Sequence, residues 1–477
     1  MLLSRLLDGF ATVGREEDAE ITGISINSGK VKKGDLFVCM RGAKDDGHLH
    51  CEEAVAAGAA AIVCEKSVGE QPVPAFRVAD IRKAYAGISA NWFGNPASSL
   101  RIITVTGTNG KSTTAYVTAK LLEAGGFRVG LIGTMYYEYA GKKLPASLTT
   151  PDPYELHSLF ADMRSEGVQY VVMEFSAHAI YLKKLCGVCS DICIFTNLSQ
   201  DHLDFFGDMK RYKAVKKSCF TAKYTRCALV NVDDACGREI LSECRVPAVS
   251  YGLDNPADCF AIDVTDTRRG SSFIANIMDD IVSIDCRLYG RFNVYNVLAA
   301  CTAARMTGVG LSEIADCLYS LDPPQGRFNV LQSGGVKYVV DFAHTPDGLY
   351  NLLKEGAKLC KGKLVTVFGC GGDRDVTKRP IMGKIAGEMS DVVIITSDNP
   401  RTESRQSIAD DIMSGVRKKD KVFVELDRSR AIALAVELAR EGDVVLIAGK
   451  GSEDYIDENN VKTPYSDSVQ LNKALGR

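Results

Sequence analysis

Ile102-Ile103-Thr104-Val105-Thr106-Gly107-Thr108-Asn109-Gly110-Lys111-Ser112-Thr113-Thr114 is the stretch from which the rest of the chain can be read. The β-branched run Ile102, Ile103, Val105 predicts a buried parallel strand. It breaks at Gly107, and a helical pattern starts at Lys111 and ends near Gly125-Gly126. Strand, glycine loop, Lys-Ser and helix make the layout of a phosphate-binding loop. Gly107, Thr108, Asn109 and Gly110 let backbone N–H groups approach phosphate oxygens, and the helix N-terminus adds partial positive charge. Lys111 can reach the outer phosphates, the Ser112 hydroxyl can ligate Mg²⁺, and Thr113 completes the turn. One departure stands out: Val105 occupies the place of the first glycine in the usual pattern, and Gly107 comes later.

Working outward, 477 residues are too many for one hydrophobic core and predict several domains. A net charge of −3 gives no electrostatic case for a nucleic acid or an anionic membrane. No apolar run is long enough to span a bilayer, and Asp8 interrupts the first apolar residues too early for a signal peptide. Sixteen cysteines are scattered singly, as reduced core thiols of a cytoplasmic protein would be. Cys186-Gly-Val-Cys189 has no second pair at metal spacing.

Residues 1–97 are expected to form a first unit, with a strand after Gly34, a helix from Glu52 to Ala60, a strand at Ala61–Cys64 and a linker at Asn95–Ser99. Residues 98–325 form the second, with strands at Tyr170–Met173 and Ile192–Phe195 and alternation from Phe273 to Leu288 that predicts antiparallel additions. Asp322–Gly326 reads as a second linker. In residues 326–477, strands at Tyr338–Val340, Leu364–Phe368, Val392–Thr396, Val422–Val424 and Val444–Ala448 alternate with helical patterns, which predicts a doubly wound α/β fold.

Chemistry is expected where these strands end. Glu174 closes an apolar strand and is placed to hold Mg²⁺. His202 lies among acids in Asp201-His202-Leu203-Asp204, after another strand. Lys216 follows on a helical stretch and would serve a cation only if CO₂ removed its charge by carbamylation.

In order, TGTNGKST, MEFSAH (Met173–His178), TNLSQDHLD (Thr196–Asp204), Tyr212 with Lys216, GRFNVYN (Gly290–Asn296), Gly326-Arg327, DFAHTPD (Asp341–Asp347), FGCGGDRD (Phe368–Asp375), SDNPR (Ser397–Arg401) and AGKGSE (Ala448–Glu453) resemble the Mur ligases of peptidoglycan synthesis over nearly the whole chain. Within that family the pattern is most similar to the members that add the third peptide residue. The resemblance implies an α/β protein of three domains: an N-terminal UDP-sugar-binding domain, a central P-loop mononucleotide-binding domain that takes ATP, and a C-terminal Rossmann-like domain. It implies that a carboxylate of UDP-N-acetylmuramoyl-L-alanyl-D-glutamate attacks ATP and that a diamino acid attacks the resulting acyl phosphate. Carried over, Glu174, His202 and carbamylated Lys216 (N6-carboxylysine) hold a second Mg²⁺. Asn293, Asn296, Arg327, Asp341 and His344 line the nucleotide. Ser28, Thr149, Thr150, Ser176 and Lys184 meet the UDP substrate. Arg374, Asp398, Asn399, Pro400, Arg401, Gly449 and Glu453 hold the amino acid. Arg401 offers a planar fork to a second carboxylate, so meso-diaminopimelate is expected rather than L-lysine. A monomer acting on small molecules is expected.

The chain departs from the family pattern at Asn27-Ser28-Gly29 for Asp-Ser-Arg, Ala177 for serine, Lys184 for arginine, Phe205-Phe206 for Tyr-His, Asn329 for an acid and Ser452 for histidine. Several of these changes fall on the acceptor side. A paralogue that joins an amino acid to a different carboxylate is therefore the alternative, and a non-catalytic nucleotide-binding protein is the third reading.

Overall fold

Short strands build three main sheets, each with its own core, and a two-stranded hairpin. The computed structural model describes residues 1–42, 45–417 and 420–477. In the N-terminal unit, Gly23–Ser25, Asp35–Val38, Ala61–Cys64 and Ala75–Arg77 pair in parallel and in that order. Leu36 and Val38 face Leu3, Leu6 and helix Ile81–Trp92, while Phe37 and Ile62 face Cys51 and Ala54. Both faces are thus covered, as a parallel sheet requires. The helix expected over Glu52–Ala60 is shorter, Cys51–Ala56, because the chain turns at Gly58 (φ +102°) to enter the next strand. The expected linker at Asn95–Ser99 is a structured turn: Asn95 is left-handed, and Pro96–Ser99 forms one 3₁₀ turn with Pro96 buried.

The quoted stretch becomes strand Arg101–Thr106, flanked in parallel by Tyr170–Glu174 and Ser190–Phe195 within an eleven-stranded sheet. Ile103 and Val105 pack on one face, under helices Lys111–Ala124 and Arg291–Met306, and Ile102 packs on the other. The region of alternation near Phe273 is two strands, Ser271–Ile277 and Asp280–Cys286, joined at Met278-Asp279, where both residues have positive φ. At the opposite edge, Val129–Ile132, Tyr136–Tyr139 and Lys142–Pro145 form a meander that the sequence reading missed.

In the C-terminal unit, Val336–Asp341, Val444–Ala448, Leu364–Phe368, Val392–Ile395 and Val422–Val424 run parallel. Asn329–Ser333 adds an antiparallel edge. Helices Pro346–Leu359, Lys378–Met389 and Arg405–Gly415 cover one face, and Arg428–Leu438 and Asp467–Ala474 the other. A hairpin, Tyr455–Glu458 with Val461–Pro464, extends past the sheet. The second linker crosses the backbone of Gly451-Ser452 so closely that a Cβ on Gly326 (φ +71°) would collide with it. The Asn329 side chain caps the Gly326 N–H.

The sixteen cysteines are free thiols, Cys186 and Cys189 included. Among the described residues no helix is long and apolar enough to cross a membrane.

Candidate active site

The carboxyl ends of the central and C-terminal sheets meet around a cavity of about 1220 Å³. Its central wall is set by the glycine loop. Gly107 (φ +149°) and Gly110 (φ +84°) lie in backbone regions that L side chains rarely adopt, and a Cβ would strike Thr196 Oγ1 at the first and Asn296 Oδ1 at the second. Lys111 Nζ curls back to donate to the carbonyls of Gly107 (3.0 Å) and Thr108 (2.7 Å). Ser112 Oγ accepts from Arg327 Nη2 at 2.8 Å, and the Arg327 guanidinium lies over the Phe342 ring.

Helix Met209–Lys217 carries Lys216 underneath this loop, 1 % exposed, where its Nζ donates to the Gly107 carbonyl at 2.6 Å. Burial, with the Lys111 charge added, holds this amine well below the ordinary lysine range. Glu174 is buried at the end of its strand; its carboxylate accepts from the Thr134 N–H (2.7 Å) and hydroxyl (3.1 Å). The His202 ring packs edge-on against His178, 3.3 Å from Asp201. Burial pushes His202 down to about 3, so it is a neutral imidazole at physiological pH.

Asn293 and Asn296 bond to each other at 3.0 Å, and Asn296 also accepts from Thr114, bracing the helix that Lys111 begins. Asp341 accepts from the N–H groups of Phe328 and Ala343, both at 2.7 Å, and His344 faces Asp201 at 3.7 Å.

Thr149 bonds Thr134 through their hydroxyls at 3.1 Å, while Thr150 bonds the Glu174 carbonyl (2.8 Å) and Ser176. Lys184 Nζ reaches the Thr150 carbonyl at 3.1 Å and Asp152 at 2.9 Å. On the C-terminal wall, the Asn399 side chain donates to Glu453 (2.9 Å) and accepts from Lys450 (2.9 Å). Asp398 lies 3.6 Å from Lys450, beside Gly449 (φ +116°). Arg401 Nη1 donates to the Gly372 carbonyl at 2.6 Å, and Arg374 reaches only the carbonyl before it.

One cavity therefore gathers nearly all the residues singled out from the sequence. Three are not on its walls: Ser28, on a 3₁₀ turn of the N-terminal unit; Gly107, behind the loop; and Pro400, inside its own turn. Sequence reasoning missed Thr134, Lys378 and Lys450. Lys378 is 3.8 Å from Asp201, and Lys450 is fully buried against Asp398 and Glu453. Lys450 sits inside the quoted AGKGSE, a signal that was available. Lys378, the first residue of an ordinary helix, offered none.

The Mur ligase family models match residues 20–90 (catalytic domain), 105–304 (middle domain) and 326–451 (glutamate ligase domain). A relative from Clostridium botulinum (strain ATCC 19397 / Type A), named UDP-N-acetylmuramoyl-L-alanyl-D-glutamate--2,6-diaminopimelate ligase, is 40% identical over 448 residues, 92% of each chain. The chain belongs to the Mur ligase family. A solved structure under the same ligase name superposes on this Mur ligase with a TM-score of 0.68 at 31% identity, covering 96% of this chain and 95% of that one. A MurF ligase from Thermotoga maritima, solved in complex with ADP, shares the three-domain fold at TM-score 0.64 and 21% identity, covering 95% and 96%.

Proposed function

We propose that this chain is an ATP-dependent, ADP-forming ligase of peptidoglycan synthesis that joins meso-diaminopimelate to UDP-N-acetylmuramoyl-L-alanyl-D-glutamate. The observation that carries the reading is the pattern of basic side chains without a close counter-ion across the cavity. Lys111 and Lys216 face it from the central wall, hydrogen-bonded to carbonyls and without an ion pair among the described residues, Lys216 also lying over the Tyr212 ring. Arg374 and Arg401 face it from the other wall with a carbonyl as their closest partner. A polyanion suits the first wall and a carboxylate-bearing amino acid the second.

In this reading residues 1–97 hold the UDP-sugar, residues 98–325 the nucleotide and residues 326–477 the amino acid, in a cytoplasmic monomer. The γ-carboxylate of the D-glutamyl residue attacks the γ-phosphorus of ATP. A new O–P bond forms, the bridging P–O bond breaks, and ADP leaves. Lys111 holds the charge that develops on the transferring phosphoryl group. The amine of the amino acid then adds to the acyl carbon. The C–N bond forms, phosphate departs with the C–O electron pair, and the amine's proton ends on the departing phosphate. Arg401 orients the distal carboxylate through its guanidinium fork, and Glu453 takes the distal ammonium.

The donors fit two Mg²⁺ ions: the Ser112 hydroxyl for one on the phosphates, and a buried carboxylate at Glu174 with a neutral imidazole at His202 for a second. Of these only Glu174 is anionic, and among the described residues no three His, Cys, Asp or Glu side chains cluster as a metal site, so a second anionic donor has to come from elsewhere. Lys216 can supply it. Burial favours its neutral amine, the form that attacks CO₂, and losing the proton as the N–C bond forms leaves a carbamate. Bound there, Mg²⁺ would cancel repulsion between the attacking carboxylate and the phosphates.

The test is ADP release from ATP with the UDP-muramoyl dipeptide and a panel of amino acids. Release dependent on that dipeptide and fastest with meso-diaminopimelate supports the proposal. Release driven only by another carboxylate overturns it in favour of the paralogue, the outcome that Ala177 and the Lys184–Asp152 pair would then explain.

A further inference from the structure

Asn109 is at the tip of the glycine loop, and every polar atom it has is engaged. Its N–H donates to Asn197 Oδ1 at 2.9 Å, and its carbonyl accepts from Thr196 Oγ1 (2.7 Å) and Asn197 Nδ2 (3.1 Å). Those partners stand at the carboxyl edge of the central sheet. The side chain leaves that unit. Its Oδ1 accepts from Thr345 Oγ1 at 3.3 Å, and its Nδ2 donates to Asp347 Oδ2 at 2.8 Å and to Ser199 Oγ at 3.2 Å. The amide therefore has no N–H left over for a phosphate.

Thr345 and Asp347 are not loose loop residues. Thr345 is the N-cap of helix Pro346–Leu359 and accepts from the Gly348 N–H at 3.0 Å. Asp347 lies in the first turn, and its second oxygen accepts from Asn351 at 3.2 Å. Asn109 thus grips the start of a fourteen-residue helix belonging to the C-terminal unit. The Thr108 and Asn109 N–H groups are held by Asn197, so the N–H groups left to face phosphate begin at Gly110, directly beside this interdomain grip.

We infer that Asn109 is a positioning residue: through Thr345 and Asp347 it couples occupancy of the phosphate loop to docking of the C-terminal unit. The inference rests on the ligase reading for the identity of the nucleotide. Coupling of this kind is reciprocal. Whatever factor docking adds to nucleotide affinity, the nucleotide adds to docking. In a ligase that makes an acyl phosphate, the coupling would close the cavity against water when the nucleotide is present.

The experiment is a double-mutant cycle in the full chain: Asn109→Ala, Asp347→Ala and both together. Two quantities are read. One is affinity for a non-hydrolysable ATP analogue with Mg²⁺ by calorimetry; the other is compaction on adding that analogue, by small-angle scattering. Each single variant is expected to bind about five- to tenfold more weakly and to lose the compaction. The double variant should be no weaker than the weaker single. Asp347→Asn, which keeps an acceptor oxygen, should recover most of both quantities. Multiplicative losses in the double variant, or wild-type affinity and compaction in Asp347→Ala, overturn the coupling. Should Asn109→Ala fail to fold, the contrast between Asp347→Ala and Asp347→Asn decides alone. No acceptor or amino acid is present, so these outcomes leave the ligase proposal standing; a wild-type chain that binds no nucleotide overturns both.

Discussion

The two units that meet at the cavity bury cations in opposite ways, the C-terminal one behind its wall and the central one on it. On the C-terminal side, Arg428 is bidentate to Asp467 through Nε and Nη2, with both bonds at 2.7 Å; Nη2 also donates to the Ala448 carbonyl, and Nη1 to that of Ser397. Arg379 is shared between Glu403 and Asp411. These guanidiniums are neutralised by the fold itself. On the central side, Lys111 and Lys216 have no ion pair among the described residues and rest on loop carbonyls. Burial pushes both amines down from the ordinary lysine range. A buried cation without a counter-ion is costly, so this wall favours an anionic occupant, and the paired arginines favour none. The partner of a buried cation separates scaffold from chemistry better than its burial does.

Breaking the scaffold side should have the largest effect. Arg428→Ala leaves Asp467 buried and alone, and about 3–5 kcal/mol of stability should be lost in denaturant unfolding. A loss near that of a surface substitution would erase the distinction. On the other wall, Lys111→Ala should lower turnover by about a hundredfold or more while leaving the unfolding midpoint unchanged or raised. Near-normal ADP production would remove Lys111 from the chemistry. Lys216→Ala should be as damaging to turnover, keep nucleotide binding, and recover in part with added short carboxylic acids. Recovery without any such acid would count against the carbamate. Arg401→Ala sharpens the comparison within one wall. It should cost about 2 kcal/mol or more of the preference for meso-diaminopimelate over L-lysine, measured as a ratio of kcat/KM values. An unchanged ratio would make Arg401 scaffold, like Arg428.

A last effect, confined to acid pH, concerns a buried group on neither wall. Both His157 ring nitrogens lack a partner among the described residues, and burial pushes the ring down to about 4. Unfolded, it would titrate near the ordinary 6.5. Between those values the unfolded chain binds the extra proton, so stability falls as pH falls through that window. His157→Phe should flatten the decline by up to about 1.4 kcal/mol per pH unit. An unchanged slope would mean that His157 is already satisfied in solution.

The central wall was readable from sequence because its signals are local. Glycines at positive φ, a β-branched strand and a Lys-Ser helix start all fall within one short stretch. Val105, which broke the expected glycine spacing, continues the strand to Thr106. The C-terminal wall was readable only in part. Its five parallel strands were found, but its edge strand Asn329–Ser333 was not, nor the hairpin that holds Arg401: the Arg401 N–H donates to the Asp457 carbonyl at 2.9 Å, and its own carbonyl accepts from Asn459 at 2.7 Å. The turn at Asn459-Asn460, with φ of 52° and 63°, carried a readable hairpin signal. Lys378 could not have been found, because what places it beside Asp201 is the docking of one unit on another. For the same reason Ser28 could be named from its motif but not placed.

The crossing of Gly326 over Gly451-Ser452 bears on how this sequence can change. A residue in a linker is ordinarily free to drift. Here, even a methyl group at 326 would force two backbones apart, and the second of them belongs to the loop that presents Glu453. Randomising position 326 alone should return glycine from any selection for activity. Variation there becomes available only after the facing loop has already moved, so the two segments, distant in the chain, evolve as one.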